Sequence, residues 1–216
     1  MAISLSDLIF TEFSLHTKKA NPFIEMKKNK IRVILTFYLL FGTVTVVSSQ
    51  NKSAIYTCTN GQAGFLSDAP LELIKASTKN LSGAINISDR SFSFMIPTKT
   101  FEGFNSSLQR VHFNEDYMET ELYPNSTFKG KIIEDVDLTV PGVYRIRAKG
   151  KMYIHGVEND RIVRCDLTVG ENKIDVQANF TVFLADHNIS IPSIVNQKIA
   201  EEVKLDIKLT LIPSGK

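Results

Sequence analysis

Between residues 91 and 131 the chain changes its hydrophobic period twice. Phe92, Phe94 and Ile96 alternate with Ser91, Ser93 and Met95, and Phe128 and Ile132 alternate with Thr127, Lys129 and Lys131. A period of two describes a strand with one buried face. The stretch between them is too polar for a strand and carries Leu108, Val111 and His112 at helical spacing, so a short helical insert is predicted between two strands. Upstream, short strands are predicted at residues 55–59, 63–67, 71–77 and 84–87. Turns are predicted at Asn60-Gly61, Asp68-Ala69-Pro70 and residues 80–83. Downstream the code is longer. Tyr144, Ile146, Ala148, Gly150, Met152 and Ile154 oppose Arg145, Arg147, Lys149 and Lys151 until Gly156 breaks the strand, and Asn159-Asp160 is read as the turn. Residues 161–169, 173–185 and 203–211 follow as strands, with a loop at 186–197.

This amounts to about eight to ten strands joined by short turns, with no helical segment long enough for a parallel crossover. The predicted fold class is all-β. Long strands with one apolar and one charged face fit a closed antiparallel barrel of about eight strands, with the helical insert capping one end. Such a barrel holds its own side chains or one slender ligand. Phe92, Phe94, Ile96, Phe128, Ile146, Met152, Ile154, Phe180 and Val182 are predicted to face the interior. Ala148, Gly150 and Ala178 on the same faces leave room, either for neighbouring aromatics or for a ligand. The insert concentrates Phe101, Phe104, Leu108 and Phe113. Two readings stand: a plug closing the barrel, or an apolar lid at a tunnel mouth where Arg110 and His112 meet a polar or anionic head group.

A length of 216 residues suits one β domain, and 43% hydrophobic residues suffice for a core. The net charge of +2 excludes a global field for nucleic acid, and much of the basic excess lies in the first 32 residues. There, a basic run at residues 26–30 precedes an apolar run at 31–47 and the small-residue pattern Val47-Ser48-Ser49-Gln50. This reads as a signal peptide over residues 26–49 with cleavage after Ser49, and residues 1–25 as a start-site misassignment. An uncleaved anchor is the alternative. The first reading leaves a domain at residues 50–216 that is exported, periplasmic or secreted, with no stable membrane span. In an oxidising compartment Cys58 and Cys165 form one disulfide or stand as two buried thiols. The Asn-x-Ser/Thr sequons, Asn179 mid-strand among them, are acceptors or a product of composition.

No nucleophile elbow, phosphate loop or HExxH occurs, and no catalytic residue is assigned. His112, with Glu115 or Asp116, and His155 lack the tight paired spacing of a zinc site, so no metal is expected.

The stretch Leu108-Gln109-Arg110, His112-Phe113-Asn114, Tyr117-Met118, Tyr123-Pro124 and Thr127-Phe128-Lys129-Gly130 resembles the YceI-like family of exported lipid- and polyisoprenoid-binding proteins. So does the strand Gly150-Lys151-Met152-Tyr153-Ile154-His155-Gly156-Val157, with supporting pieces in residues 65–72 and 180–192. The resemblance implies a lipocalin-like barrel with a tunnel for a long isoprenoid or acyl chain, no cofactor beyond that lipid, and no catalysis. The leading expectation is a non-enzymatic carrier or scavenger that buries an apolar chain. The alternatives are an interaction module with a self-filled core that binds an envelope or protein partner, and a hydrolase using His112 or His155 as base. A homodimer is expected if an edge at Pro97 or the last strand is unpaired.

Overall fold

Each long alternating run becomes one wall stave. The computed structural model describes residues 54–215, so the expectations for residues 1–49 lie outside the described residues. Eight strands follow one another around a closed barrel: β1 (Ile55–Asp68), β2 (Leu73–Asn86), β3 (Ser91–Pro97), β4 (Asn125–Ile132), β5 (Gly142–Ile154), β6 (Val157–Val169), β7 (Ile174–Phe183) and β8 (Glu202–Pro213). Every neighbouring pair is antiparallel, and β8 closes on β1 from Val203 opposite Ser67 to Pro213 opposite Tyr56. The edges on which a homodimer was expected therefore do not exist: Pro97 pairs with Asn125, and β8 is paired on both sides.

Three predicted turns are corrected. Asn60-Gly61 is not a hairpin turn, because neither residue takes the positive φ that such a turn requires. It is a register shift inside β1, opposite Leu81. Residues 80–83 also stay extended. Leu81 points into the core, so the polar residues around it are the outer face of one strand, β2. The β5–β6 turn falls at His155-Gly156 rather than Asn159-Asp160, with φ of 49° and 76° and Ile154 opposite Val157. Both positive φ values make this the two-residue turn whose twist matches a hairpin. A side chain at Gly156 would also strike the Tyr123 ring, 2.6 Å from its Cε1.

The two barrel ends differ. Beyond the β4–β5 connection, Tyr56, Leu138, Leu167, Ile174 and Leu211 are buried and pack into one cluster, which closes that end. The β1–β2 and β5–β6 hairpins, the insert between β3 and β4, and the long β7–β8 connection gather at the other end. The insert holds the helix α1 (Ser107–His112), capped by Ser106 Oγ accepting from the Gln109 N–H at 3.2 Å, and continues as a wider π turn at Phe113–Tyr117. Between β6 and β7 the pairing spans only Cys165–Val169 against Ala178–Ile174, as short as that of β2 with β3. Above it, the Arg161 guanidinium donates to the Thr181 carbonyl at 2.6 Å and bridges the two strands.

Cys58 and Cys165 are both free thiols. They stand on β1 and β6, which are not neighbours in the barrel, so the disulfide left open by the sequence does not form here.

Candidate functional site

The strands that alternate cleanly converge their apolar faces on an interior that is not filled. A deep chamber of about 130 Å³ is lined by Phe92, Phe94, Phe128, Ile146, Met152 and Phe180, with Ile96 and Ile154 at its upper edge. Val163, Cys165 and Ala178 complete one wall, and only Ser126 and Thr127 bring hydroxyls to it. Above it, a wider chamber of about 460 Å³ lies beneath the insert and the β7–β8 connection. Ile96, Ser126, Ile154 and Leu205 line both and mark the neck between them. Of the residues predicted to face the interior, eight line the deep chamber, and Val182 lines the outer one.

The insert is held over the outer chamber by aromatic contacts. Phe65 of β1 sits 5.4 Å from Phe101, 5.9 Å from Phe104 and 5.5 Å from Phe113, ring centre to ring centre. Phe113 in turn meets Phe104 at 5.1 Å. Offset and edge-on rings at these spacings add to the burial they bring. Phe101, Phe104, His112 and Phe113 therefore line the outer chamber. Two other predicted entrance residues do not. Leu108 is 61% exposed on the outside of α1, and Arg110 turns to Glu102 at 3.9 Å.

A polar latch fastens the far side of the insert. The His155 ring donates from Nδ1 to the His187 carbonyl at 3.0 Å and from Nε2 to the Glu119 carboxylate at 2.7 Å. Glu119, His155 and Asn188, within or beside the latch, each take a left-handed backbone, with φ of 42°, 49° and 56°. His187 is buried, its Nδ1 has no hydrogen-bond partner, and burial pushes its imidazole below the usual histidine range. His112 pairs with Asp116 at 2.5 Å instead of joining His155. Among the described residues no group of three or more His, Cys, Asp or Glu is placed to hold a metal ion.

Ionisable groups inside the tunnel are few. Burial, with Asp166 adding to it, pushes the Cys165 thiol up to about 11. Burial followed by the neighbouring Asp116 raises Tyr117. Tyr117, part of the insert motif quoted above, also lines the outer chamber, as do Glu72, Leu184, Ile189, Val195 and Lys198, to which the sequence reading assigned no site role. One signal was available: Ile189, Ile194, Val195 and Ile199 put apolar residues into a loop without any strand period.

A family profile described as the YceI-like domain matches residues 59–211. Among solved structures, the chain is similar to a polyisoprenoid binding domain from Saccharophagus degradans implicated in plant cell wall breakdown. The two are 18% identical, with a TM-score of 0.63 over 75% of this chain and 99% of that one. It is also similar to BcnA of Burkholderia cenocepacia, 12% identical, with a TM-score of 0.55 over 69% of this chain and 95% of that one. At these identities the likeness is one of fold. No curated protein matches the chain by sequence.

Proposed function

The chain belongs to the YceI-like domain family, and from that premise we propose that it is an exported, non-enzymatic carrier or scavenger of a long apolar chain. The observation that carries this reading is the pair of adjoining chambers that share four lining residues, the deep one apolar but for two hydroxyls, beneath a lid of packed aromatics. Burial is the mechanism. Each methylene transferred from water to such a wall gains about 0.8 kcal/mol before ordering costs, so a polyisoprenoid or fatty acyl tail supplies ample driving force. The Saccharophagus relative is a polyisoprenoid binding domain, which supports a tail of that kind. Export rests on the basic and apolar pattern of residues 26–49. No helix among the described residues is long and apolar enough to cross a membrane.

Native mass spectrometry of the full chain recovered from an expressing cell, followed by solvent extraction, tests the reading. A stoichiometric adduct with an isoprenoid or acyl mass is the expected result, and an N-terminus at Gln50 is the expected mark of export. Protein that is empty and takes up neither polyprenyl lipids nor fatty acids would instead favour an interaction module. The solid packing around Leu138 and Tyr56 would then be the pattern of the whole interior.

A further inference from the structure

The outside of the barrel carries positive charge that its own acids leave unmatched. Lys129 of β4 stands directly opposite Lys151 of β5, and Lys131 directly opposite Lys149. All four are exposed on the outer face, so four ammonium groups rise from a square of backbone about 5 Å by about 7 Å. At the next outward position of β5, Arg147 stands opposite Arg164 of β6. Like charges directly opposite one another destabilise a sheet, so three adjoining pairs are a cost that the fold itself does not explain. Lys151 meets Asp160 at 3.1 Å and Glu158 at 3.9 Å, and Arg147 meets Glu134 at 2.7 Å. Among the described residues no ion pair or side-chain hydrogen bond engages Lys129, Lys131, Lys149 or Arg164. Asp89 feels Lys131, but its carboxylate already accepts from the Ser91 N–H at 3.0 Å and the Ser91 hydroxyl at 2.7 Å. Elsewhere on the surface Arg90, Lys99, Arg110, Lys173, Lys204 and Lys208 each face a carboxylate. Apolar side chains stand out of the same wall. Met95, opposite Thr127, and Ile162, opposite Lys149, are exposed on either flank of the square. Leu122, three residues before β4, is 68% exposed.

Going beyond the carrier reading, we propose that the β4–β5 wall docks the protein on an anionic lipid surface, with the lysines against its phosphates and Met95, Leu122 and Ile162 entering its apolar edge. Each Lys or Arg near such a surface adds attraction that fades within a Debye length, and exposed apolar side chains beside them add burial. An acidic protein would offer carboxylates at fixed points. Unpaired ammonium groups with apolar tips between them fit instead a surface that is charged at one depth and apolar just below it. Contact on this side also brings the insert, which leads directly into β4, towards the lipid.

The full chain is co-sedimented with vesicles of phosphatidylcholine alone and of phosphatidylcholine with about one-third phosphatidylglycerol, at low and at high salt. Partitioning at low salt is expected to be at least tenfold stronger onto the anionic vesicles, and high salt is expected to remove most of that gain. The double variant Lys129→Glu, Lys149→Glu is expected to lose at least tenfold of the binding. It places a carboxylate opposite Lys151 and another opposite Lys131, so its Tm is expected to stay level or rise, which separates lost docking from lost folding. The control Lys75→Glu, Lys79→Glu makes the same change in net charge on exposed positions of β2 and is expected to lose less than threefold. All three proteins share residues 1–50, so a difference between them belongs to the wall. Equal binding to neutral vesicles, or equal losses in the two double variants, overturns the proposal. Retention on immobilised heparin without vesicle binding also overturns it and assigns the wall to an acidic glycan. None of these outcomes touches the carrier reading, which stands or falls on the mass of an extracted lipid.

Discussion

Cys165 reports on the tunnel from inside it. Cys165 lines the deep chamber, and burial holds its thiol up to about 11. The thiolate is the species that alkylates, so iodoacetamide at about pH 8 should modify Cys165 roughly a hundredfold more slowly than an unperturbed thiol. Bound lipid should slow it further, and mass analysis of timed aliquots measures both effects. Full modification on unfolding without reductant is also expected, and its absence would mean a disulfide. His187 reports on the latch through pH. Its folded imidazole is held below the ordinary 6.5 by burial, so the native state keeps it neutral while the unfolded chain takes up a proton. The unfolded state binds more protons as pH falls, so this contribution to stability is intact above about 6.5 and is lost progressively below it. Tm should therefore decline from about pH 7 to about pH 5, and His187→Asn should flatten that decline. An unchanged slope in the variant would remove His187 as its cause. Neither environment was legible in the sequence. Alternation placed Cys165 on an inward face, but a strand's period does not say whether that face meets packing or space. A histidine four residues beyond a strand gives no sign of burial.

At the level of elements, β4, β5, β7 and β8 were legible nearly to their ends, because polar and apolar residues alternate along them, whereas the first four residues of β6 were read outside the strand. β1 and β2 were not. Their middles carry Asn60-Gly61 and Asn80, Ser82 and Gly83, which are turn residues by composition, and so two long strands read as four short ones with turns between. The same composition hides a packing constraint between β4 and β5. Gly130 stands directly opposite Gly150, and a Cβ on either would fall on the backbone carbonyl of the facing strand, at Lys149 or Lys129. Gly130→Ala should thus force the strands apart beneath the insert. The expected cost is about 1–3 kcal/mol, as for other overpacked sites. Thermal unfolding should register it at about 2–4 °C per kcal/mol in a chain of this size. Gly64→Ala is the matched control, since its nearest neighbour would lie at 3.7 Å, and it should leave Tm nearly unchanged.

For the whole molecule, the division of the interior into a solid end, a narrow deep chamber and a wide mouth is what separates a carrier from a packed barrel. Small inward residues showed in the sequence, yet their meaning depends on what faces them across the barrel, which no local pattern encodes. Ala178 shows the point. It pairs with Cys165 on one side and Ile207 on the other, is buried, and lines the deep chamber. Ala178→Leu should therefore place its extra carbons in empty space. A self-filled core would lose about 1–3 kcal/mol to the same change through overpacking. A hollow one should keep its Tm or gain slightly, because cavity filling restores lost contacts. Binding should respond in the opposite sense and selectively. A long-chain alcohol, whose tail must pass the neck at Ile96, Ser126, Ile154 and Leu205, should be displaced from the variant. A short-chain alcohol that fits the outer chamber alone should still bind. Thermal unfolding and a chain-length series on the one variant read the two effects together. Lowered stability with unaltered long-chain binding would mean that the tail does not reach Ala178, and that the deep chamber belongs to the core.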